Sequence, residues 1–321
     1  MLVKKLFNPK IKMVPTRNGY GEGLVEAGKR DPNVLVLCCD LTDSTRSSYF
    51  KESYPERFVQ LGIYEQAMAA IAAGMALAGK VPFISSYAAF SPGRNYEQIR
   101  TCVALSETNV KIAGAHAGIS VGPDGATHQM IEDIALMRVL PNMTVLVPCD
   151  SVETKKATIA AAKIKGPVYV RFAREKSPVF TTSSTPFKVG KAEVFRKGKD
   201  VSIVACGPLV YEALKAAEEL KKNKIDVRVI NCHTIKPIDK QTLIKAARET
   251  KAIVTVEEHQ IAGGLGSAVA EVLSESRPVP IERIGIKDRF GESGPPEKLL
   301  NHFGLTTPHI VKAVQRIIKK K

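Results

Sequence analysis

Tryptophan is absent from this 321-residue sequence, and aromatic residues make up only 6% of it. Proteins that bind single-stranded nucleic acid stack the bases on aromatic side chains. The scarcity therefore argues against such a role, although the net charge is +15. The basic residues are scattered along the chain, apart from three lysines at its end. We expect this charge to attract anionic metabolites and not nucleic acid.

Long apolar runs and closely paired cysteines are also missing. The longest stretch of small apolar residues, 67–78, is too short to cross a bilayer, and the first residues lack the apolar centre of a secretory signal. None of the six cysteines forms a CxxC pair. We therefore expect a protein of the reducing cytoplasm that makes no contact with a membrane.

Several glycine-dependent motifs are absent or out of context. The sequence contains neither GxxxxGK[ST] nor GxSxG. The glycines of residues 19–23 precede a predicted strand, whereas a dinucleotide-binding turn follows one. Residues 263–266 follow a strand and open a helix, which favours a tight connection over an anion site.

What the sequence does contain is a regular alternation of β-rich and helical stretches, which predicts an α/β fold of two doubly wound domains. Strands are predicted at residues 34–39, 81–86, 110–115, 143–147, 168–172, 201–206, 227–232, 252–256 and 280–286. Helices are predicted at 66–79, 95–106, 129–139, 152–163, 210–222, 240–250 and 265–274. Asp150 and Ser151 form a natural N-cap before residue 152. We predict a first domain over 1–180, a linker over 181–200 that is rich in Ser, Thr, Pro and Lys, and a second, smaller domain over 201–321.

Polar and aromatic residues follow the strands of the first domain, where ligands bind in doubly wound sheets. Glu65 opens a helix of small residues, and Tyr87 and Phe90 could support a flat ring. His116, Asp124 and His128 lie in a Gly-rich loop, where imidazoles can accept, donate or carry protons. Taken singly, Glu65 is better explained as a helix cap, and the two aromatic residues are better explained as core. The two histidines in one loop favour a functional site, but no third or fourth metal ligand accompanies them.

In their order, these segments resemble a known family. TRNGYGEGL, GIYEQAMAAIAAGMALAG, SSYAAFSPGRNYEQIR and GISVGPDGATHQ resemble the pyrimidine-binding domain of transketolases. CGPLVYEALKAAEEL, VRVINCHTIKPID and VTVEEHQIAGGLGSAVAE resemble their C-terminal domain. The resemblance implies thiamine diphosphate as cofactor and transfer of a two-carbon ketol unit between sugar phosphates.

The resemblance also implies roles for individual residues. Glu65 matches the carboxylate that hydrogen-bonds the cofactor's pyrimidine ring, and Phe90, with Tyr87 beside it, matches the stacking residue. Asp40 matches an acidic residue near the cofactor. His116 and His128 match residues that handle substrate hydroxyls and a developing oxyanion. A final group matches substrate contacts: Asp124 for a sugar hydroxyl, and Ser44 and Arg174 for the phosphate. The match of Arg174 is the looser one, because Arg171 lies close by.

One family motif is missing, and its absence implies a partner. Members of this cofactor class hold the diphosphate through a divalent metal on a GDG motif followed by an Asn. The nearest string here, Gly122-Pro123-Asp124-Gly125, belongs to the loop already described. The resemblance therefore implies a separate N-terminal chain that carries the diphosphate and Mg²⁺ or Ca²⁺ sites. It further implies a cofactor shared at the subunit interface, two copies of each chain, and close packing through residues 67–78.

Three alternatives stay open. The β subunit of two-oxoacid dehydrogenases is a separate chain of similar length, but usually lacks the phosphate-reading Ser and Arg. Deoxyxylulose-phosphate synthase is normally one long chain with Arg where His116 stands. A non-catalytic structural subunit would leave the coincidence of Glu65, Phe90 and His128 unexplained.

Overall fold

The computed structural model describes residues 2–321, and its first half is built on a seven-stranded sheet. The strands of this half are β1 (Met13–Pro15), β2 (Val34–Cys38), β3 (Phe58–Gln60), β4 (Val81–Tyr87), β5 (Lys111–Ala115), β6 (Thr144–Leu146), β7 (Val168–Arg171) and β8 (Lys176–Pro178). The helices are α1 (Thr16–Arg30), α2 (Thr42–Thr45), α3 (Ser48–Ser53), α4 (Glu65–Leu77), α5 (Tyr96–Gln98), α6 (Asp133–Val139) and α7 (Ser151–Lys163). Strands β6, β7, β5, β4, β2 and β3 are neighbours in that order and run parallel, while β1 and β8 form a separate antiparallel pair.

The second half carries a five-stranded sheet of order β14-β13-β10-β11-β9. Its strands are β9 (Glu193–Arg196), β10 (Val201–Ala205), β11 (Val227–Asn231), β13 (Ile253–Gln260) and β14 (Ile281–Ile286), and a further strand, β12, spans Thr234–Lys236. Its helices are α8 (Leu209–Lys222), α9 (Lys240–Thr250), α10 (Leu265–Ser276), α11 (Pro296–His302) and α12 (Thr307–Ile318). Strand β9 lies inside the predicted linker and pairs antiparallel with β11. The predicted doubly wound α/β architecture is confirmed, whereas the domain limits at 180 and 201 stay predictions.

The two halves share a sheet edge and a core. Strand β12, from the second half, pairs antiparallel with β6 and completes the first sheet. One continuous apolar cluster contains Met68 and Val145 of the first half together with Ile230 and Leu265 of the second. The strand pairing and this shared burial fix the second half against the first sheet, on its β6 side.

Helix α1, which contains four glycines, was not among the predicted helices. Two of them let it lie close to α7: a Cβ at Gly19 would stand 1.9 Å from the Ser151 carbonyl oxygen, and one at Gly23 would stand 2.6 Å from Thr158 Cβ. The Asp150 cap of α7 is confirmed, since its carboxylate accepts from the Glu153 backbone N–H at 2.9 Å. Close packing therefore outweighs the weak helix propensity of glycine here.

Two predicted helices differ in the structure. The predicted helix 95–106 begins as α5 and continues as a π-helical segment, Ile99–Leu105. The predicted helix 129–139 begins only at Asp133, since the backbone of Met130 and Ile131 bonds Gly118 and Gln260. Within residues 2–321, no helix has both the length and the apolar character needed to cross a membrane.

Candidate active site

The site lies where β2, β4, β5 and β7 end, at the edge of the first sheet that the sequence predicted. These strands are neighbours in the sheet, so the residues that follow them meet. Glu65 begins α4, Tyr87 ends β4, and His116 follows β5.

Glu65 is a buried carboxylate that faces the site. It is 2% exposed, and its Oε2 accepts from Arg94 Nη1 at 2.8 Å. The Ser86 hydroxyl donates to the other oxygen at 3.4 Å. The Arg94 guanidinium also lies 4.5 Å above the ring of Phe90. A flat cation thus contacts both the carboxylate and the aromatic ring.

Four rings form one aromatic cluster beside this carboxylate. Tyr87 stacks on His116 at 4.1 Å and on Phe90 at 5.9 Å between ring centroids. His128 stands edge-on to Phe90 at 5.3 Å and is half-buried. The structure therefore brings together five of the predicted residues, from three separate segments of the chain.

His116 is held neutral in this cluster. Burial, together with the charge of Arg17, lowers the pKa of His116 to about 3. Its Nε2 lies 3.3 Å from Arg17 Nη1 and 3.2 Å from the Ser44 carbonyl oxygen. Its buried Nδ1 has no hydrogen-bond partner among residues 2–321. A buried polar atom without a partner is costly, so this nitrogen is suited to a ligand.

Three guanidinium groups line a cavity of about 810 Å³ beside His116. They belong to Arg17, Arg46 and Arg174. The pKa of Arg17 is lowered by burial and by the charges of Arg46 and Arg174. Arg17 donates to the Ser44 carbonyl oxygen at 2.9 Å, and Arg174 lies 3.4 Å from Asp124. The lining also includes two lysines and two glutamates, so five basic groups face two carboxylates, a balance that favours an anionic ligand.

The structure separates the two arginines that sequence reasoning left close together. Arg171 is buried in an ion pair with Asp133 at 2.7 Å, away from the cavity. Arg174 reaches the Gly-rich loop, where it donates to the Val121 carbonyl oxygen at 2.9 Å. Asp40 is exposed beyond β2, and among residues 2–321 no hydrogen bond or ion pair joins it to the other predicted residues.

Arg17 and Arg46 were missed by the sequence analysis. Arg46 lies only two residues after Ser44, the last site residue that was proposed between β2 and the next strand. Arg17 lies in α1. Because this helix was not predicted, its residues could not be placed next to the site.

Comparison with known proteins agrees with the geometry. The family model for the transketolase pyrimidine-binding domain matches residues 12–179, and the model for the transketolase C-terminal domain matches residues 190–310. A putative transketolase C-terminal section from Methanocaldococcus jannaschii is 46% identical over 95% of this chain and 96% of its own length. The 6-deoxy-6-sulfo-D-fructose transketolase subunit SqwH of Clostridium sp. is 38% identical over 98% of both chains.

A solved structure described as a split-gene transketolase in an inactive beta4 tetramer has a TM-score of 0.90 and 47% identity. It covers 95% of this chain and 99% of its own. Human transketolase is 39% identical, but the chain covers only 49% of it. The chain belongs to the transketolase family and corresponds to the pyrimidine-binding and C-terminal domains of its longer members.

Proposed function

We propose that this chain is the C-terminal subunit of a two-chain transketolase. The enzyme transfers a two-carbon ketol unit from a ketose phosphate to an aldose phosphate and is active only with an N-terminal partner chain. The observation that carries the proposal is the pairing of the buried Glu65 carboxylate and the Phe90 ring with a three-arginine cavity beside them.

The residues fit the pyrimidine half of thiamine diphosphate. Arg94, a planar group with N–H donors, already contacts Glu65 and Phe90 together. An aminopyrimidine is likewise flat, and its ring nitrogen can share a proton with a carboxyl group, so it could use both contacts once the guanidinium moves aside. The unpartnered Nδ1 of His116 offers a further polar contact nearby.

When bound, thiamine diphosphate supplies the electron sink for cleaving and forming the carbon–carbon bond. In this proposal Glu65 holds a proton at a pyrimidine ring nitrogen, and Phe90, with Tyr87 beside it, fixes the plane of the ring. Asp40 contributes negative charge near the cofactor.

The remaining residues act on the sugar. Neutral His116 and half-buried His128 exchange hydrogen bonds with substrate hydroxyls and stabilise a developing oxyanion. Asp124 accepts from a sugar hydroxyl. The phosphate is bound by Ser44, Arg174 and the two further arginines of the cavity.

Three observations support a partner chain. The matched family models cover only the pyrimidine-binding and C-terminal domains. The related split-gene structure is described as an inactive tetramer of one chain type. Next to Glu65, α4 turns Ile71 and Leu77 outward, and Ile63 and Tyr64 just before it are 68% exposed. Such a surface suits a subunit contact. We propose that the partner holds the diphosphate through Mg²⁺ or Ca²⁺ in a cytoplasmic α2β2 enzyme.

The test is to purify this chain alone and together with the N-terminal chain from its source. Ketol transfer between pentose phosphates is then assayed with thiamine diphosphate and Mg²⁺. We expect activity only from the complex, and a Glu65→Gln complex should lose at least ~100-fold. The control is Glu219→Gln, an exposed position on α8. Turnover by the isolated chain would refute the need for a partner, and full activity of Glu65→Gln would refute the role of Glu65.

A further inference from the structure

The Gly-rich loop of the site, residues 116–128, rests on the second half of the chain. The Ser120 backbone N–H donates to Glu258 Oε1 at 2.7 Å. Glu258 belongs to β13 and is only 4% exposed. A Cβ at Gly118, whose φ is +91°, would stand 2.3 Å from the same oxygen, so a side chain there would collide with the carboxylate.

A second contact holds the other end of the loop. The Gln129 side-chain amide donates to the carbonyl oxygens of Ile119 at 3.1 Å, Gly122 at 3.1 Å and Glu292 at 2.9 Å. Glu292 lies just before α11, and Pro296 of α11 also packs on Gly122. The loop is thus fixed at two points, and at both of them the contact is made by the second half of the chain, through Glu258 and Glu292.

The backbone of Glu258 is itself held in place. Arg171 Nη2 donates to the Glu258 backbone carbonyl at 2.8 Å, and its Nε pairs with Asp133 at 2.7 Å. Asp133 also accepts from the Tyr169 hydroxyl at 2.7 Å. Glu258 is therefore placed by a buried network that starts in the first sheet.

We propose that Glu258 is a positioning residue for the substrate. By fixing the Ser120 backbone, it sets where Asp124 and His128 stand relative to the three-arginine cavity, whose wall also includes Ser120. This role rests on the proposed function of the loop. It also assigns the second half of the chain a task beyond subunit contact, which is to form the floor under the substrate site.

The test compares Glu258→Ala with Glu258→Gln in the assembled two-chain enzyme. The Gln side chain retains an oxygen that can accept from Ser120, whereas Ala has none. We expect the Ala variant to raise the KM for the sugar phosphate and lower kcat/KM by roughly 10- to 100-fold, with cofactor affinity unchanged. Glu258→Gln should restore most of the loss. Glu249→Ala, which removes an exposed ion pair on α9, is the control.

Hydrogen exchange of residues 117–125 provides a readout that does not need turnover. Glu258→Ala should exchange faster there than wild type, and Glu258→Gln should not. If the wild-type complex shows no ketol transfer, the proposed function is wrong. The exchange result still shows whether the contact between Glu258 and Ser120 holds the loop in place. The role of Glu258 would be overturned if Glu258→Ala changed neither the hydrogen exchange nor the KM for the sugar phosphate. It would also be overturned if the variant weakened sugar binding and cofactor binding equally.

Discussion

Removing Asp133 should destabilise the protein more than any substitution of a surface charge. Asp133 is fully buried and pairs with Arg171, whose side chain is 5% exposed, at 2.7 Å. Removing one partner of a buried pair leaves an uncompensated charge and costs about 3–5 kcal/mol. The Tyr169 hydroxyl loses its acceptor as well. Because these losses are coupled and do not add, we expect Asp133→Ala to cost about 4 kcal/mol.

That cost should lower Tm by roughly 5–10 °C in a chain of this size. Thermal unfolding of Asp133→Ala, Arg171→Met and the double variant forms a complete cycle. The double variant should be more stable than the sum of the single losses, because neither charge is then left alone. A loss below ~1 kcal/mol for Asp133→Ala, or strict additivity in the cycle, would refute this account of the pair.

Three further predictions concern the site. Arg94→Ala should tighten thiamine diphosphate binding by roughly 3- to 10-fold in the complex, since the guanidinium occupies the contacts proposed for the pyrimidine; weaker binding in a cofactor titration would show that Arg94 stays and helps to hold it. Arg17→Ala should raise the KM for phosphorylated acceptors at least ~10-fold but not for glycolaldehyde, with exposed Arg30→Ala unchanged; an equal effect on both acceptors would contradict phosphate binding. Burial lowers the pKa of His116 to about 3 and that of His233 to about 4, so the unfolded chain binds more protons between these values and about 6.5, and stability falls as the pH drops through this window. His116→Gln should therefore show a shallower fall in urea midpoint from pH 6.5 to 4.5, and an unchanged slope would contradict a neutral buried imidazole.

Local sequence patterns predicted what local forces determine. Apolar runs predicted the inner strands of both sheets and β14, because buried parallel strands need little besides continuous apolar character. The short edge strands β3, β9 and β12 were not among the predicted strands. The Asp150 cap was equally predictable, since its partner lies three residues away. Helix α1 was missed, and two of its glycines are explained only by their contact with α7, more than a hundred residues later in the chain. The membership of β12 in the first sheet depends on the same kind of distant contact.

The same distinction between local patterns and distant contacts applies to the site. Glu65, Phe90, His116 and His128 lie in segments that follow strands, where neighbouring strand ends converge at one edge, but the resemblance to transketolases was needed to assign their roles. The groups that position them could not be predicted, because the Ser120 contact with Glu258 spans 138 residues. The residues around Glu258 in the sequence do not show whether its carboxylate has a functional role or is simply a buried charge with a partner. The role of Glu258 follows from the Ser120 backbone N–H that donates to it. The contribution of the second half to the site can therefore be recognised only in the folded structure, where the two halves are packed together.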